Sequence, residues 1–373
     1  MKILLLNWRD IRHPKSGGAE IITMQHAKGW VKRGHSVTWF TSSYSGATSE
    51  ETIEGVHIIH TGGSLTVYAL APWYIFWNSK KYDVIIDEVH GIPFFAKLFT
   101  NTPVVIFIHE IAGDIWDYMY TFPINKIGKW LEAWMFTIYK KNRFWTIAQS
   151  TVEELVKRGI ERKNCIAIPN QIIVNESEEK NNKIASYQKE KNPTYIFVSR
   201  VVKMKGIEEV IKAFSFILRE QKEARLWIVG GGDVVYLKEL KNMMEEYQIL
   251  SHVTFFGRVS EEKKMELMRK AHILLHASVK EGWGLVVMEA ASVGTPSVVY
   301  NVPGLIDVVQ GGKTGVIVKE NSPQDMAKEA IQLYVDVKRY EKLQYEAKQW
   351  INSIQWNILI KNSESFLEES ITN

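Results

Sequence analysis

Short apolar runs alternate with segments of helical period from one end of the chain to the other. "KILLLNW" at residues 2–8 leads to a helical pattern over Ala19–Arg33, and "HSVTWFTS", "VHIIHTG", "YDVIIDEV" and "PVVIFIHE" follow. A long helical zone over 124–142 precedes "FWTIAQS", a helix from Thr151 and "KNCIAIPN". The pattern then stops in a polar tract, "QIIVNESEEKNNKIASYQKEKN" over 171–192, and restarts with "TYIFVSR" and a helix over Glu208–Glu220. "ARLWIVG", "VTFFGR", "HILLHAS", "SVVYN" and "TGVIV" complete the second series, with helices to Tyr247, over Glu261–Ala271 and near Leu305–Val309. Strands this uniformly apolar are buried on both faces, so each series predicts a parallel sheet covered by helices, an α/β unit.

At 373 residues the chain exceeds the size at which one core stops growing. The expected organisation is a first unit over 1–170, a linker over 171–192 and a second unit over 193–349. A last helical tract, 350–373, carries Trp350, Trp356, Ile360 and Phe366. It is expected to return to the first unit.

Charge changes this picture little. The formal net charge of +4 is too mild to point to nucleic acid as a partner. Its distribution says more: residues 1–170 hold 19 Lys/Arg against 15 Asp/Glu and nine of the 13 tryptophans, while 171–373 is balanced. The single cysteine, Cys165, excludes an intrachain disulfide and a cysteine-based metal cluster. The apolar run of residues 1–8 is too short for a signal peptide and reads better as a buried strand. No uninterrupted apolar stretch reaches 18 residues, so no transmembrane helix is expected.

In open α/β sheets ligands bind beyond the C-terminal ends of the strands, so the loops there are where chemistry is sought. "SGGAE" (Ser16–Glu20) puts Gly17 and Gly18 at a helix start, where bare backbone N–H groups and the helix dipole suit an anion. "SRVVKMKG" places Arg200 just off a strand and Lys205 before a helix, a fork and a point charge for phosphate oxygens. "VGGGD" (Val229–Asp233) reads either as a nucleotide turn or as a turn demanded by packing. The densest signal is "EGWGLVVMEAASVGTPSVV". Glu281 lies in the loop, and an ionised carboxylate accepts from several sugar hydroxyls. The N–H groups of Gly284, Leu285 and Val286 at the helix entrance suit a diphosphate, and Glu289 could reach back to a ribose. His109 ends the strand "VVIFIHE" on the ligand side. There is neither an Asp-x-Asp pair nor a G-x-x-x-x-G-K-[ST] loop, so a diphosphate here is expected to rely on Arg, Lys and a helix N-terminus, with no metal and no cofactor.

These motifs, with "VPGLIDVVQGGKTGVIV", resemble those of the retaining glycosyltransferases of family 4, and the likeness spans nearly the whole chain. Trp283 stands where that family usually has Phe, and Ser199-Arg200 where it often has Gly-Arg. The resemblance implies the GT-B fold, two Rossmann-like parallel-sheet domains facing across a cleft. It implies a hexosyltransferase that uses a UDP-, GDP- or ADP-sugar, retains anomeric configuration and needs no metal. Carried over residue by residue, it puts Arg200 and Lys205 on the diphosphate and Glu281 on the sugar. It puts the backbone of Gly282, Trp283, Gly284, Leu285 and Val286 on sugar and phosphate, and Glu289 on the ribose. Gly17 and Gly18 would close over the diphosphate, His109 would line the sugar pocket, and Val259 would lie near the base. The acceptor would bind the first domain.

For the acceptor, residues 124–145 carry Lys126, Lys129, Lys140, Lys141 and Arg143 against Glu132 alone. On a helix Ile127, Leu131, Trp134 and Ile138 share one face and the lysines cluster opposite. With "VYALAPWYIFWNSKKY" this forms either a core-packed helix with a solvated basic side or a contact with an anionic membrane and a lipid-linked or surface-glycan acceptor. The second reading places the protein in the cytoplasm at the inner face of the cell membrane. Other readings stay open at this point. A nicotinamide-dependent dehydrogenase lacks its G-x-G-x-x-G here, a two-lobed sugar-binding protein normally needs export, and a sugar phosphorylase would share the fold.

Overall fold

The apolar runs become strands because both their faces are covered. In β1 (Lys2–Leu6), Leu4 and Leu6 join one core cluster, while Ile3 and Leu5 are equally buried on the opposite face. The structure, a computed structural model, describes residues 1–172 and 188–372. It contains two compact units: Met1–Asn170 together with Ile354–Asn373, and Gln171–Ser353.

Unit 1 is built on an eight-stranded sheet in the order β3-β4-β2-β1-β5-β6-β7-β8. Its other strands are β2 (Ser36–Thr41), β3 (Glu50–Ile53), β4 (Val56–His60), β5 (Val84–Val89), β6 (Val104–Ile108), β7 (Arg143–Thr146) and β8 (Cys165–Ala167). The accompanying helices are α1 (Gly18–Lys32), α2 (Thr66–Asn78), α3 (Ile115–Met119), α4 (Ile124–Ile138) and α5 (Gln149–Lys157). All pairings are parallel except one. β3 runs antiparallel to β4, with Ile53 paired to Val56. The two residues between them, Glu54 and Gly55, both have positive φ, the geometry of a tight type I′ hairpin turn. The purely parallel sheet expected from the apolar runs is corrected here. This edge strand is Glu-rich and half exposed, so it gives no buried-strand signal.

Unit 2 has a six-stranded, wholly parallel sheet in the order β11-β10-β9-β12-β13-β14. The strands are β9 (Thr194–Val198), β10 (Arg225–Val229), β11 (Val253–Gly257), β12 (Ile273–His276), β13 (Ser297–Val299) and β14 (Val316–Ile317). Its helices are α6 (Ile207–Glu220), α7 (Val234–Glu246), α8 (Glu261–Lys270), α9 (Leu285–Ser292), α10 (Leu305–Val308), α11 (Pro323–Val335) and α12 (Val337–Ser353). α6 shows why these segments are helical. Ile207, Val210, Ile211, Phe214 and Ile217 recur at three- and four-residue spacing and are all fully buried. Each such side chain contributes roughly 1.5–3 kcal/mol relative to exposure.

Two more departures from the sequence reading have physical causes. α2 was not marked as an element, because apolar residues on both its sides blur the period. Only the stripe Val67, Ala71, Ile75 is buried, while Trp73, Phe76 and Trp77 are 67%, 64% and 72% exposed. The C-terminal tract is two helices rather than one, and the boundary falls at Ser353/Ile354. α12, with Trp350, belongs to unit 2; the last helix, α13 (Trp356–Thr372), belongs to unit 1. α13 docks on α1 through polar groups. Ser363 Oγ accepts from Trp30 Nε1 (3.1 Å) and pairs with His26 Nδ1 (3.0 Å), and Glu364 takes Arg33 and His35. The linker expected over 171–192 lies mostly outside the described residues. At its end, Lys189 Nζ donates to Ala271 O (2.7 Å) and Thr295 Oγ1 (2.8 Å), so that part is anchored to unit 2.

The "VGGGD" turn follows β10, and packing shapes it. Gly230 has φ +138°, and a Cβ built on it would lie 1.7 Å from Ser199 O. The neighbouring Gly231 has its nearest such atom at 3.9 Å and no positive φ. Gly230→Ala is therefore expected to destabilise unit 2 by at least about 2 kcal/mol, with Gly231→Ala within about 0.5 kcal/mol of the parent. Urea unfolding of the two variants checks this; equal midpoints would refute it.

Candidate active site

In unit 2 the loops beyond the strand ends are brought together by backbone contact. Gly206 ends the short turn Lys203–Lys205 with φ +71°, and its Cα lies so close to the end of β12 that a Cβ would sit 1.9 Å from Ala277 O. Gly304 approaches the Glu281 carbonyl in the same way, at 2.1 Å. The result is that Lys205 Nζ reaches Glu281 Oε1 at 2.6 Å. His276 Nε2, from the last residue of β12, bonds the same oxygen at 3.0 Å. Burial alone would raise the Glu281 carboxyl, but the Lys205 ammonium and the His276 hydrogen bond hold it well below the usual carboxylate range. It is an ionised carboxylate with only 12% of its side chain exposed.

Directly after it, Gly284 (φ +82°) caps α9, whose first-turn N–H groups at Leu285 and Val286 have no intrahelical acceptor. Glu289 sits one turn further in. Burial raises its carboxyl, and an ion pair with Lys264 Nζ (2.9 Å) opposes that shift. Lys264 comes from α8, which opens just after Val259 and its capping residue Ser260. The geometry thus sets Glu281, the α9 N-terminus and Glu289 along one stretch, with Lys205 on Glu281 and α8, the helix that follows Val259, tied to Glu289 through Lys264. Lys205 was expected on a diphosphate and is found on Glu281. Arg200 is exposed, held by the loop that Gly230 supports. The Trp283 indole is buried, donates to Met288 Sδ (2.8 Å) and packs 6.2 Å from Trp350, so the side chain belongs to the core and the expected role falls to the backbone alone.

In unit 1 the loop after β1 is tied to itself. Gly17 N donates to Glu20 Oε2 (2.6 Å), and Arg9 binds both Glu20 (2.8 Å) and Lys15 O (2.7 Å). Glu20 is fully buried and lies 3.6 Å from His90. His109, just past β6, donates to a carboxylate on the adjacent strand. Its Nε2 is 2.9 Å from Glu88 Oε1, which also meets His90 Nε2 (3.1 Å) and Thr23 Oγ1 (2.9 Å). Burial would raise Glu88, but the hydrogen bonds from His109 and His90 bring it down to about 2. Glu20, Glu88, His90, Lys264 and His276 were not singled out from sequence. Glu88 and His90 carry a usable signal, two polar residues at alternate positions where the apolar run of β5 ends.

Among the described residues, Glu88, His90 and His109, and separately His35, Glu364 and Glu368, place donor atoms within 4.8 Å of one another. In the first set both imidazoles already pair with one Glu88 oxygen, and in the second His35 pairs with Glu364. Hydrogen bonding accounts for both arrangements.

The basic segment 124–145 buries the expected apolar face only in part. α4 turns Gly128, Glu132, Met135 and Phe136 inward. Of the face Ile127, Leu131, Trp134 and Ile138, Ile138 packs against the core and Leu131 is half-buried, while Ile127 and Trp134 are 52% and 41% exposed. Lys126 and Lys140 are exposed, while Lys129 pairs with Asp114 and Asp117. Residues 94–95 connect this face to α2, with Phe95 5.0 Å from Trp134 and Phe94 stacked on Tyr68 at 4.6 Å. Among the described residues no helix is long and apolar enough to cross a membrane.

Glu88 makes a pH prediction. Its folded-state value, about 2, lies below the reference of 4.5, so its stabilisation is complete above about pH 4.5 and is lost as pH falls toward 2. The difference is worth roughly 3 kcal/mol. Glu88→Gln should flatten the loss of stability across that window, measured as urea midpoints of variant and parent from pH 5 to 2; parallel curves would contradict it.

Known proteins bear on this arrangement. The family profile described as Glycosyltransferase Family 4 matches residues 16–176, and that of Glycosyl transferases group 1 matches 178–350. An uncharacterised glycosyltransferase of Methanocaldococcus jannaschii is 27% identical over 352 residues, 88% of this chain and 87% of its own. A GDP-mannose-dependent alpha-(1-6)-phosphatidylinositol monomannoside mannosyltransferase of Mycobacterium tuberculosis is 29% identical over 189 residues, 48% of this chain and 49% of its own. Among solved structures, Anabaena HepE in complex with UDP and glucose superposes with a TM-score of 0.74 at 17% identity, covering 99% of this chain and 100% of that one. These likenesses do not favour a nicotinamide-dependent dehydrogenase or a sugar-binding protein. With two α/β units of parallel-sheet type and both family profiles matched in series, the chain belongs to the group 1/family 4 glycosyltransferases of GT-B fold.

Proposed function

We propose that the protein moves a hexose from a nucleoside-diphosphate sugar to a hydroxyl acceptor with retention of anomeric configuration. The observation that carries this reading is the N-terminus of α9, bracketed by an ionised, nearly buried Glu281 on one side and Glu289 on the other. Free helix N–H groups meet phosphate oxygens, and the two acceptor-only carboxylates meet the hydroxyls of sugar and ribose. Arg200 and Lys205 supply positive charge to the diphosphate, so no metal is required for that role. In the step itself the bond from the anomeric carbon to the phosphate oxygen breaks. The bond to the acceptor oxygen forms on the same face, and the acceptor proton passes to the departing phosphate. The names of two relatives support the donor class: one is called GDP-mannose-dependent, and the other was crystallised with UDP and glucose.

The acceptor in this reading is lipid-linked or a surface-glycan precursor, handled by unit 1 at the cytoplasmic face of a membrane. Support comes from the exposed Trp73, Phe76 and Trp77 of α2, the exposed face of α4, and the exposed lysines Lys80, Lys97, Lys126 and Lys140. Aromatic side chains with lysines around them suit an anionic lipid interface.

Two experiments test the reading. A thermal-shift panel of UDP, GDP, ADP, their common sugar conjugates and NAD, with and without EDTA, should show stabilisation by one nucleoside diphosphate that is indifferent to EDTA. At 100 times the dissociation constant the gain is about 2.7 kcal/mol. Glu281→Ala and Glu289→Ala should each lower kcat/KM by about ten- to a hundredfold, the loss of hydrogen bonds to a charged group. Stabilisation by NAD alone, or unchanged turnover, would defeat the assignment. For the membrane, Trp73→Ala/Trp77→Ala should stay in the supernatant with phosphatidylglycerol-rich vesicles that pellet the parent; no pelleting of the parent would remove that half of the reading.

A further inference from the structure

His276 occupies a position that the fold alone would give to a hydrophobic residue. It ends β12 after Ile273, Leu274 and Leu275, all fully buried, and it is itself 1% exposed with its ring beside Phe197. Its Nδ1 is buried without a hydrogen-bond partner. Taking an imidazole out of water with one nitrogen unpaired disfavours folding, and an apolar side chain of similar size would avoid that cost. The hydrogen bond the ring does make, through Nε2, goes to Glu281 Oε1.

That oxygen is shared with Lys205. The two donors differ in what a ligand does to them. Lys205 is a flexible cation from a turn next to the α9 N-terminus, and a diphosphate bound there competes for it. His276 is neutral-donor capable, short, and fixed on a strand packed in the core. When Lys205 turns toward phosphate, the His276 bond still fixes the rotation of the Glu281 carboxylate and leaves Oε2 turned to accept from hydroxyls. We propose that His276 is a positioning residue for the donor sugar: it holds Glu281 in the orientation that reads the sugar's hydroxyls, independently of Lys205. The proposal rests on the donor reading given above and extends it to a residue with no direct contact to ligand.

The test separates sugar from nucleotide. Full-length parent, His276→Gln, His276→Asn and His276→Phe are titrated calorimetrically with UDP, UDP-glucose, GDP, GDP-mannose, ADP and ADP-glucose, and the nucleotide and conjugate pair that binds the parent is compared. Gln carries an amide nitrogen as far along its side chain as Nε2, whereas Asn is one methylene short and Phe has no donor. Bare nucleoside diphosphate should bind all four within about twofold, which also certifies that unit 2 is folded. The sugar conjugate should lose about tenfold in His276→Asn and His276→Phe and be restored in His276→Gln, as one hydrogen bond to a charged group predicts. Conjugate affinity unchanged in Asn and Phe, equal losses for bare nucleotide and conjugate, or Gln no better than Asn would each overturn the role. A parent chain that binds none of these six ligands would overturn the donor reading itself and this role with it.

Discussion

A carboxylate taken out of water has to be met by cations or donors, and each unit arranges its candidate chemistry around one that is. Glu281 in unit 2 is met by Lys205 and His276; Glu88 in unit 1 is met by His109, His90 and Thr23. Those partners hold both groups in the ionised form against burial, which pushes both carboxyls upward. In unit 2 the Lys205 turn reaches Glu281 because loops beyond the strand ends pack backbone against backbone. Gly206 and Gly304 press the Lys205 turn and the Glu281 loop onto neighbouring carbonyls at distances that any side chain would forbid. The folds of the two loops and the charge state of Glu281 are therefore one problem with one solution.

Most of the architecture was legible because buried parallel strands leave a strong trace. Runs such as "KILLL" and "ILLH" are apolar at every position, and α6 repeats at helical spacing. What escaped was structure whose cause lies outside the local pattern. β3 is polar because it lies at an edge, and its hairpin depends on two positive φ angles at Glu54 and Gly55. α2 is apolar on its exposed side as well as its buried one, which removes the contrast on which periodicity relies. The break between α12 and α13 carries no Gly or Pro to announce it.

The site divides along the same line. Glu281, Gly284 and Glu289, close together in sequence on one loop and the helix it enters, were legible as candidates by their spacing. Their partners were not, since Lys264 and His276 acquire meaning only when α8 and β12 are set beside the loop. "VGGGD" went the other way. Its sequence fits ligand chemistry and packing equally, and in the structure Gly230 is there to let Ser199 pass and Asp233 to cap α7. Trp283 shows how far a motif residue can belong to the core, its indole held in the interior by Met288 and Trp350.

Unit 1 is written in two pieces of sequence, and unit 2 is written between them. A ribosome therefore finishes every residue of unit 2 before it supplies α13. Until then the α1 face that holds Trp30, His26 and Arg33 has no Ser363 or Glu364 to cover it. The nascent chain carries all eight strands of its first sheet, with a tryptophan-bearing helix face uncovered, while more than 180 further residues emerge. That face closes last, when α13 arrives, and until then it is where a chaperone would find the most to hold.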